Sequence, residues 1–150
     1  MRFPVPIRRL GFRVAHRLLR VWWFARRPRQ NGVKCVLTDG DNVLLVRHTY
    51  GRSVWDLPGG GIKRDEPPLD AARRETEEEL GVRLEGWRDL GTVGLTEYHR
   101  HDTIHCFQAD LNGKPLTIDR GELDTAEWFS RRQLPRDVGR YVNRIIALVG

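Results

Sequence analysis

Acidic residues are missing from the first 34 positions of this 150-residue chain, where ten basic side chains stand: Arg2, Arg8, Arg9, Arg13, Arg17, Arg20, Arg26, Arg27, Arg29 and Lys34. The whole chain carries 26 Lys+Arg against 20 Asp+Glu; setting the ten aside leaves 16 basic against 20 acidic groups, or −4. A mildly acidic body therefore wears a basic leader, and the overall charge of +6 describes neither part. Cysteine is scarce. Cys35 and Cys106 each lie in an apolar, strand-like run, which excludes a disulfide framework and offers no metal-type spacing. That usage fits a reducing, intracellular setting, and the expected location is the cytoplasm. Long apolar runs are lacking as well. The leader's longest, Val21-Trp22-Trp23-Phe24-Ala25, falls far short of the ~20 residues that a membrane-spanning helix needs. Arginines interrupt the leader every few positions, so it has no apolar stretch of the secretory-signal kind. Neither an internal repeat nor a low-complexity tract is present.

The leader nevertheless has a pattern. Ile7, Leu10, Val14, Leu18, Val21, Trp22 and Ala25 recur at steps of three and four, while Arg9, Arg13, Arg17 and Arg20 fall on other faces. Pro4 and Pro6 suit a helix start and Pro28 its end. The expected organisation is a basic amphipathic helix with a connector over residues 1–31, then one α/β domain over residues 32–150. Packing of the apolar stripe on the domain, or on a second subunit in a homodimer, is the expected role of this helix. Contact with nucleic acid or an anionic membrane is the alternative its arginines and aromatics leave open.

Within the body, Val33–Thr38 and Asn42–His48 flank Asp39-Gly40-Asp41 and read as a hairpin. Trp55-Asp56-Leu57 reads as a short strand stopped by Pro58 and Gly59-Gly60-Gly61. A helix is expected from Pro67 or Pro68 to Leu80, with Gly81 as its C-terminal stop. Strand-like stretches follow at 82–84, 91–98, 103–111 and 126–129, with a turn at Asn112-Gly113 and a last helix over 136–149.

The densest chemistry lies in Arg74-Glu75-Thr76-Glu77-Glu78-Glu79. On a helix Glu75, Glu78 and Glu79 share one face, and carboxylates so placed repel one another. A divalent cation offsets that cost, and hard oxygen donors suit Mg²⁺, Mn²⁺ or Ca²⁺; a plain solvated acidic face is the other reading. The three preceding glycines let backbone approach a ligand closely.

Written out, Gly60, five residues, Glu66, seven residues, Arg74-Glu75-Thr76-Glu77-Glu78-Glu79, one residue, then Gly81-Val82 resembles the signature of the Nudix hydrolase family, 23 residues long here. Thr76 departs from it, standing where the family usually carries an aliphatic residue. The likeness extends over about residues 32–135, through Val43–Arg47, Trp55–Gly61, Glu122, Glu127-Trp128-Phe129 and Leu134-Pro135. It implies an α/β/α sandwich around a mixed sheet and metal-dependent cleavage of a diphosphate linkage by water attack at phosphorus. It further implies that Glu75, Glu78 and Glu79, with the Gly59 carbonyl, hold Mg²⁺ (or Mn²⁺), supported by Glu66 and Arg74. For the general base the family offers either a box glutamate, here Glu75, or one from a later loop. Glu122 is the candidate for the latter, ahead of Asp119 and Glu97.

Arg47, Trp55 and Tyr98 are the candidates for reading a nucleotide substrate. Tyr98 stands 16 positions beyond the box, where some dinucleoside polyphosphate hydrolases of the family carry Tyr and ADP-ribose hydrolases often carry Pro. The expected substrate is therefore a nucleoside di-, tri- or polyphosphate derivative, with ADP-ribose or a nucleotide sugar as the alternative. A non-catalytic module that senses a nucleotide is the rival of another class.

Overall fold

The computed structural model describes residues 14–15, 18–19, 31–49, 53–97 and 100–150, with 95–97, 100 and 101 described through their backbone alone. In chain order the elements are β1 (Asn31–Asp39), β2 (Asn42–His48), β3 (Gly59–Gly61), α1 (Pro68–Leu80), β4 (Arg88–Glu97), β5 (Arg100–Asp110), β6 (Leu123–Ser130) and α2 (Val142–Ile146), closed by a single 3₁₀ turn at Ala147–Val149. The sheet runs β4-β5-β1-β2-β6, with β3 on β1. β1 and β5 are parallel and the other pairs antiparallel, so the sheet is mixed.

Alternation along β1 divides the core. Val33, Cys35 and Leu37 face one side, where Ala71, Ala72 and Leu80 of α1 pack, and Val36 faces the other among Val142, Ile145 and Ile146 of α2. One layer of helix thus covers each face of the sheet. Pro68 starts α1 where its missing N–H costs least, and Gly81, at φ 63°, ends it in the left-handed conformation. Asn112 and Gly113, both at positive φ, make the turn after β5.

Three expectations meet a different outcome. Trp55 and Asp56 form isolated bridges to Val138 and Val46, and the strand is made by the glycines themselves, paired with Gly32–Lys34. Residues 82–84 form no strand, although Val82 and Leu84 are buried in the core. The last helix is short because the backbone of 137–139 is used elsewhere: Trp55 N donates to Asp137 O at 2.8 Å and Gly139 N to Trp55 O at 2.7 Å. The one N–H of Gly139, so engaged, cannot also close a helical turn.

Of the leader, Val14, Ala15, Leu18 and Leu19 are helical, with Val14, Leu18 and Leu19 well exposed. The rest of the expected basic helix lies outside the described residues.

Candidate functional site

The end of α1 builds the site by its need for hydrogen bonds. The last carbonyls of a helix lack partners within it. Here Gly81 N reaches Glu77 O at 2.9 Å, Thr117 N reaches Leu80 O at 2.8 Å and Asp119 N reaches Glu79 O at 2.9 Å. The 117–119 segment is thereby fastened to the helix end. Beyond it, Gly121 N donates to Asp119 Oδ1 at 2.9 Å and Glu122 N to Asp119 O at 3.0 Å, a tight turn that places Glu122 beside the helix. Glu75, Glu79 and Glu122 are all buried, and one carboxylate oxygen from each lies within 4.8 Å of the other two.

β3 closes the other side. A Cβ on Gly60 would fall 2.5 Å from Glu75 Oε1, so this carboxylate occupies the space a side chain on β3 would need. Gly59 points its N–H at Glu79 Oε2, 3.4 Å away. Its φ of 148°, with the Val33 carbonyl standing where a Cβ would go, admits only glycine.

Arg74 binds the outer carboxylates together. Its Nε lies 2.8 Å from Glu66 Oε2 and Nη2 2.9 Å from Glu66 Oε1, a two-pronged pair, while Nη2 also donates to Gly61 O at 2.9 Å. Nη1 reaches Glu75 Oε1 at 2.9 Å and Glu78 Oε2 at 3.4 Å. The hydrogen bonds from Arg74 hold the Glu66 carboxyl below the usual range against its partial desolvation. The guanidinium is correspondingly harder to deprotonate, chiefly through Glu66.

The candidate residues therefore separate. Glu75 and Glu79 meet Glu122, which was expected as a base and here shares the cluster. Glu78 turns toward Arg74, its side chain 35% exposed. Glu66 and Arg74 form one ion pair, and Gly59 brings its N–H to Glu79. Asp119 shapes the turn before Glu122. Arg47 and Trp55 lie elsewhere: the guanidinium stacks 4.6 Å from the Trp55 ring centre and pairs with Asp137 at 2.7 Å. Trp55 belongs to the core on the α2 face, edge-on to Phe129 at 5.0 Å. Tyr98, and the side chain of Glu97, lie outside the described residues.

Two contacts were not anticipated. His48 Nε2 stands 3.3 Å from Glu79 Oε1. Lys34 Nζ pairs with Asp56 Oδ2 at 2.7 Å; burial works against its charge, but Asp56, helped by Glu79, outweighs that and raises the pKa. A polar side chain within a strand-like run, Lys34, or at the end of one, His48, was the available signal.

Thr76 shows how the departure from the box is accommodated. It is buried, yet its hydroxyl donates to Ala72 O one turn back at 2.8 Å, so that hydroxyl is not stranded in the core.

A mixed sheet between helices, with oxygen donors gathered at the end of one of them, defines an α/β sandwich built for hard-cation chemistry. The NUDIX domain family pattern matches residues 28–147. The chain belongs to the Nudix family. It is 41% identical over 118 residues to an ADP-ribose pyrophosphatase of Mycobacterium tuberculosis, covering 73% of this chain and 57% of that one. It is 39% identical over 117 residues to an RNA pyrophosphohydrolase of Bartonella bacilliformis, covering 71% of this chain and 63% of that one. The chain thus spans less than two thirds of the length of either relative. Among solved structures, a MutT NUDIX hydrolase from Burkholderia pseudomallei superposes with a TM-score of 0.74 at 22% identity, covering 83% of this chain and all of that one.

Proposed function

We propose that the chain is a divalent-metal-dependent pyrophosphohydrolase that cleaves a diphosphate linkage in a nucleoside di-, tri- or polyphosphate derivative. The observation that carries this reading is the convergence of Glu75, Glu79 and Glu122, buried and within 4.8 Å of one another. Buried carboxylates at that spacing repel unless a cation or protons intervene, and an all-oxygen donor set fits Mg²⁺ or Mn²⁺. Glu75, Glu79 and Glu122 would hold the ion, with Glu78 and the Gly59 backbone at its margin. When bound, such a cation neutralises phosphate oxygens and lowers the pKa of water. Either Glu75 or Glu122 takes the proton of the attacking water as its oxygen bonds phosphorus, while the bond from phosphorus to the bridging oxygen breaks and the leaving phosphate departs with that oxygen. Arg74 keeps Glu66, Glu75 and Glu78 oriented and offsets their mutual repulsion. Arg47 and Tyr98 remain our candidates for contact with the nucleotide, and Trp55 supports Arg47 through the stack.

The likeness to the Mycobacterium tuberculosis enzyme supports ADP-ribose, or a nucleotide sugar, as a second substrate reading. The test is a panel of nucleoside triphosphates, dinucleoside polyphosphates, ADP-ribose and triphosphorylated RNA, read with and without Mg²⁺. Preference for the polyphosphates supports the first reading and preference for ADP-ribose the second. Binding of nucleotides without turnover of any would instead favour a sensing module.

The basic leader, residues 1–31, is proposed to cover its apolar stripe on the domain or on a second subunit. Removing residues 1–30 is expected to lower solubility or abolish dimers; loss of membrane or RNA binding alone would assign the leader to those surfaces.

A further inference from the structure

β2 ends where its pairing with β6 breaks step: Arg47 lies opposite Thr125, but His48 lies opposite Leu123. Such a break re-aims the side chain that follows it. His48 there places Nε2 3.3 Å from Glu79 Oε1, with the two side chains 11% and 0% exposed. For Glu79 to bind a cation it must be ionised and can then only accept, and in that state the contact requires Nε2 to carry the proton. The second carboxylate oxygen faces the Gly59 N–H. Glu79 is therefore held at both oxygens, from β2 and from β3. The next residue acts on the other side of the cluster. Thr49 N donates to Glu122 O at 2.9 Å and Thr49 Oγ1 to Gly121 O at 3.0 Å. One strand end thus touches two of the three residues whose carboxylates converge.

We infer that His48 is a positioning residue: by holding Glu79 in place it sets the affinity of the carboxylate cluster for a divalent cation. The inference rests on reading Glu75, Glu79 and Glu122 as a cation site. A glutamate left to rotate about three bonds must be ordered when it binds an ion, and a partner that orders it beforehand removes part of that cost. Hydrogen-bond partners of ligating groups typically change metal affinity 10- to 100-fold when removed.

The test is a Mn²⁺ titration of the full chain, following the spectroscopic signal of the free ion, for the natural protein, His48→Leu, His48→Gln and His48→Asn. The Leu variant is expected to bind Mn²⁺ at least about tenfold more weakly. Gln, whose amide nitrogen extends about as far as Nε2, is expected to restore binding to within about threefold, and the shorter Asn is not. Thermal melting checks that each variant folds; if the Leu variant does not, the Gln and Asn variants decide. Unchanged affinity in His48→Leu, or equal affinity in Gln and Asn, overturns the role given to His48. Failure of the natural protein to bind Mn²⁺ overturns the cation site itself, and the role of His48 with it.

Discussion

Gly60 and Glu75 share one space: the position a Cβ would take on Gly60 lies 2.5 Å from Glu75 Oε1 and 2.7 Å from its carboxyl carbon. A strand of three glycines is a weak strand by propensity. Its lack of side chains is what lets a carboxylate from α1 lie against its backbone.

Substitution at the two neighbouring glycines should therefore have opposite consequences. Gly60→Ala meets the movable end of a glutamate side chain, so the fold should survive while Glu75 is displaced and hydrolysis falls at least about tenfold. Gly59→Ala meets the Val33 backbone at a φ of 148°, and strain of that kind costs about 1–3 kcal/mol before the collision is counted. Paired melting curves and turnover numbers check this. Equal melting of both variants would contradict it.

Arg74 should tolerate replacement poorly even by lysine. One ammonium cannot span both oxygens of Glu66 together with Glu75 and Gly61 O. Arg74→Lys is expected to lose about 1.5–3 kcal/mol of stability, measured by urea unfolding, and most of the activity.

Acid stability follows from Glu66. Its folded pKa is lowered by Arg74, so its contribution is fully present above the ordinary glutamate value of about 4.3 and is lost as pH falls through the lowered folded value. Glu66→Gln should be less stable than the natural protein at neutral pH and should lose less stability on acidification. Parallel acid unfolding curves for the two proteins would exclude this role.

The thiols should be silent in the folded protein. Burial pushes Cys35 up to about 12 and Cys106 up to about 11, so neither forms thiolate at pH 8. A thiol reagent is expected to label no cysteine natively and both in denaturant.

How far the sequence disclosed all this depended on the range of the interactions involved. α1, its proline start, its Gly81 stop and the turns at Gly40 and Asn112-Gly113 are local matters, and each was readable. β3 was not, because what makes three glycines a strand is backbone pairing with Gly32–Lys34 of β1, distant in sequence. The last helix was overextended because Trp55, more than 80 positions away, takes the backbone of 137–139. At the site, the helical spacing of Glu75 and Glu79 was plain. Glu122 was named through the family likeness as a base; that its carboxylate would lie against Glu75 and Glu79 required knowing that the 117–119 segment caps α1, and that His48 would reach Glu79 required the break in register at the end of β2.

Conversion of a nucleoside polyphosphate to its shorter nucleotide product, followed across a Mg²⁺ titration for the natural chain and for Glu79→Gln side by side, tests the central claim most directly. The natural chain should turn over only with the divalent ion. Glu79→Gln, which keeps the shape of the side chain and removes its charge, should need far more Mg²⁺ and lose at least about 100-fold in kcat/KM, near 2.7 kcal/mol. Turnover that persists without a divalent ion, or that is unaffected by Glu79→Gln, would contradict the account.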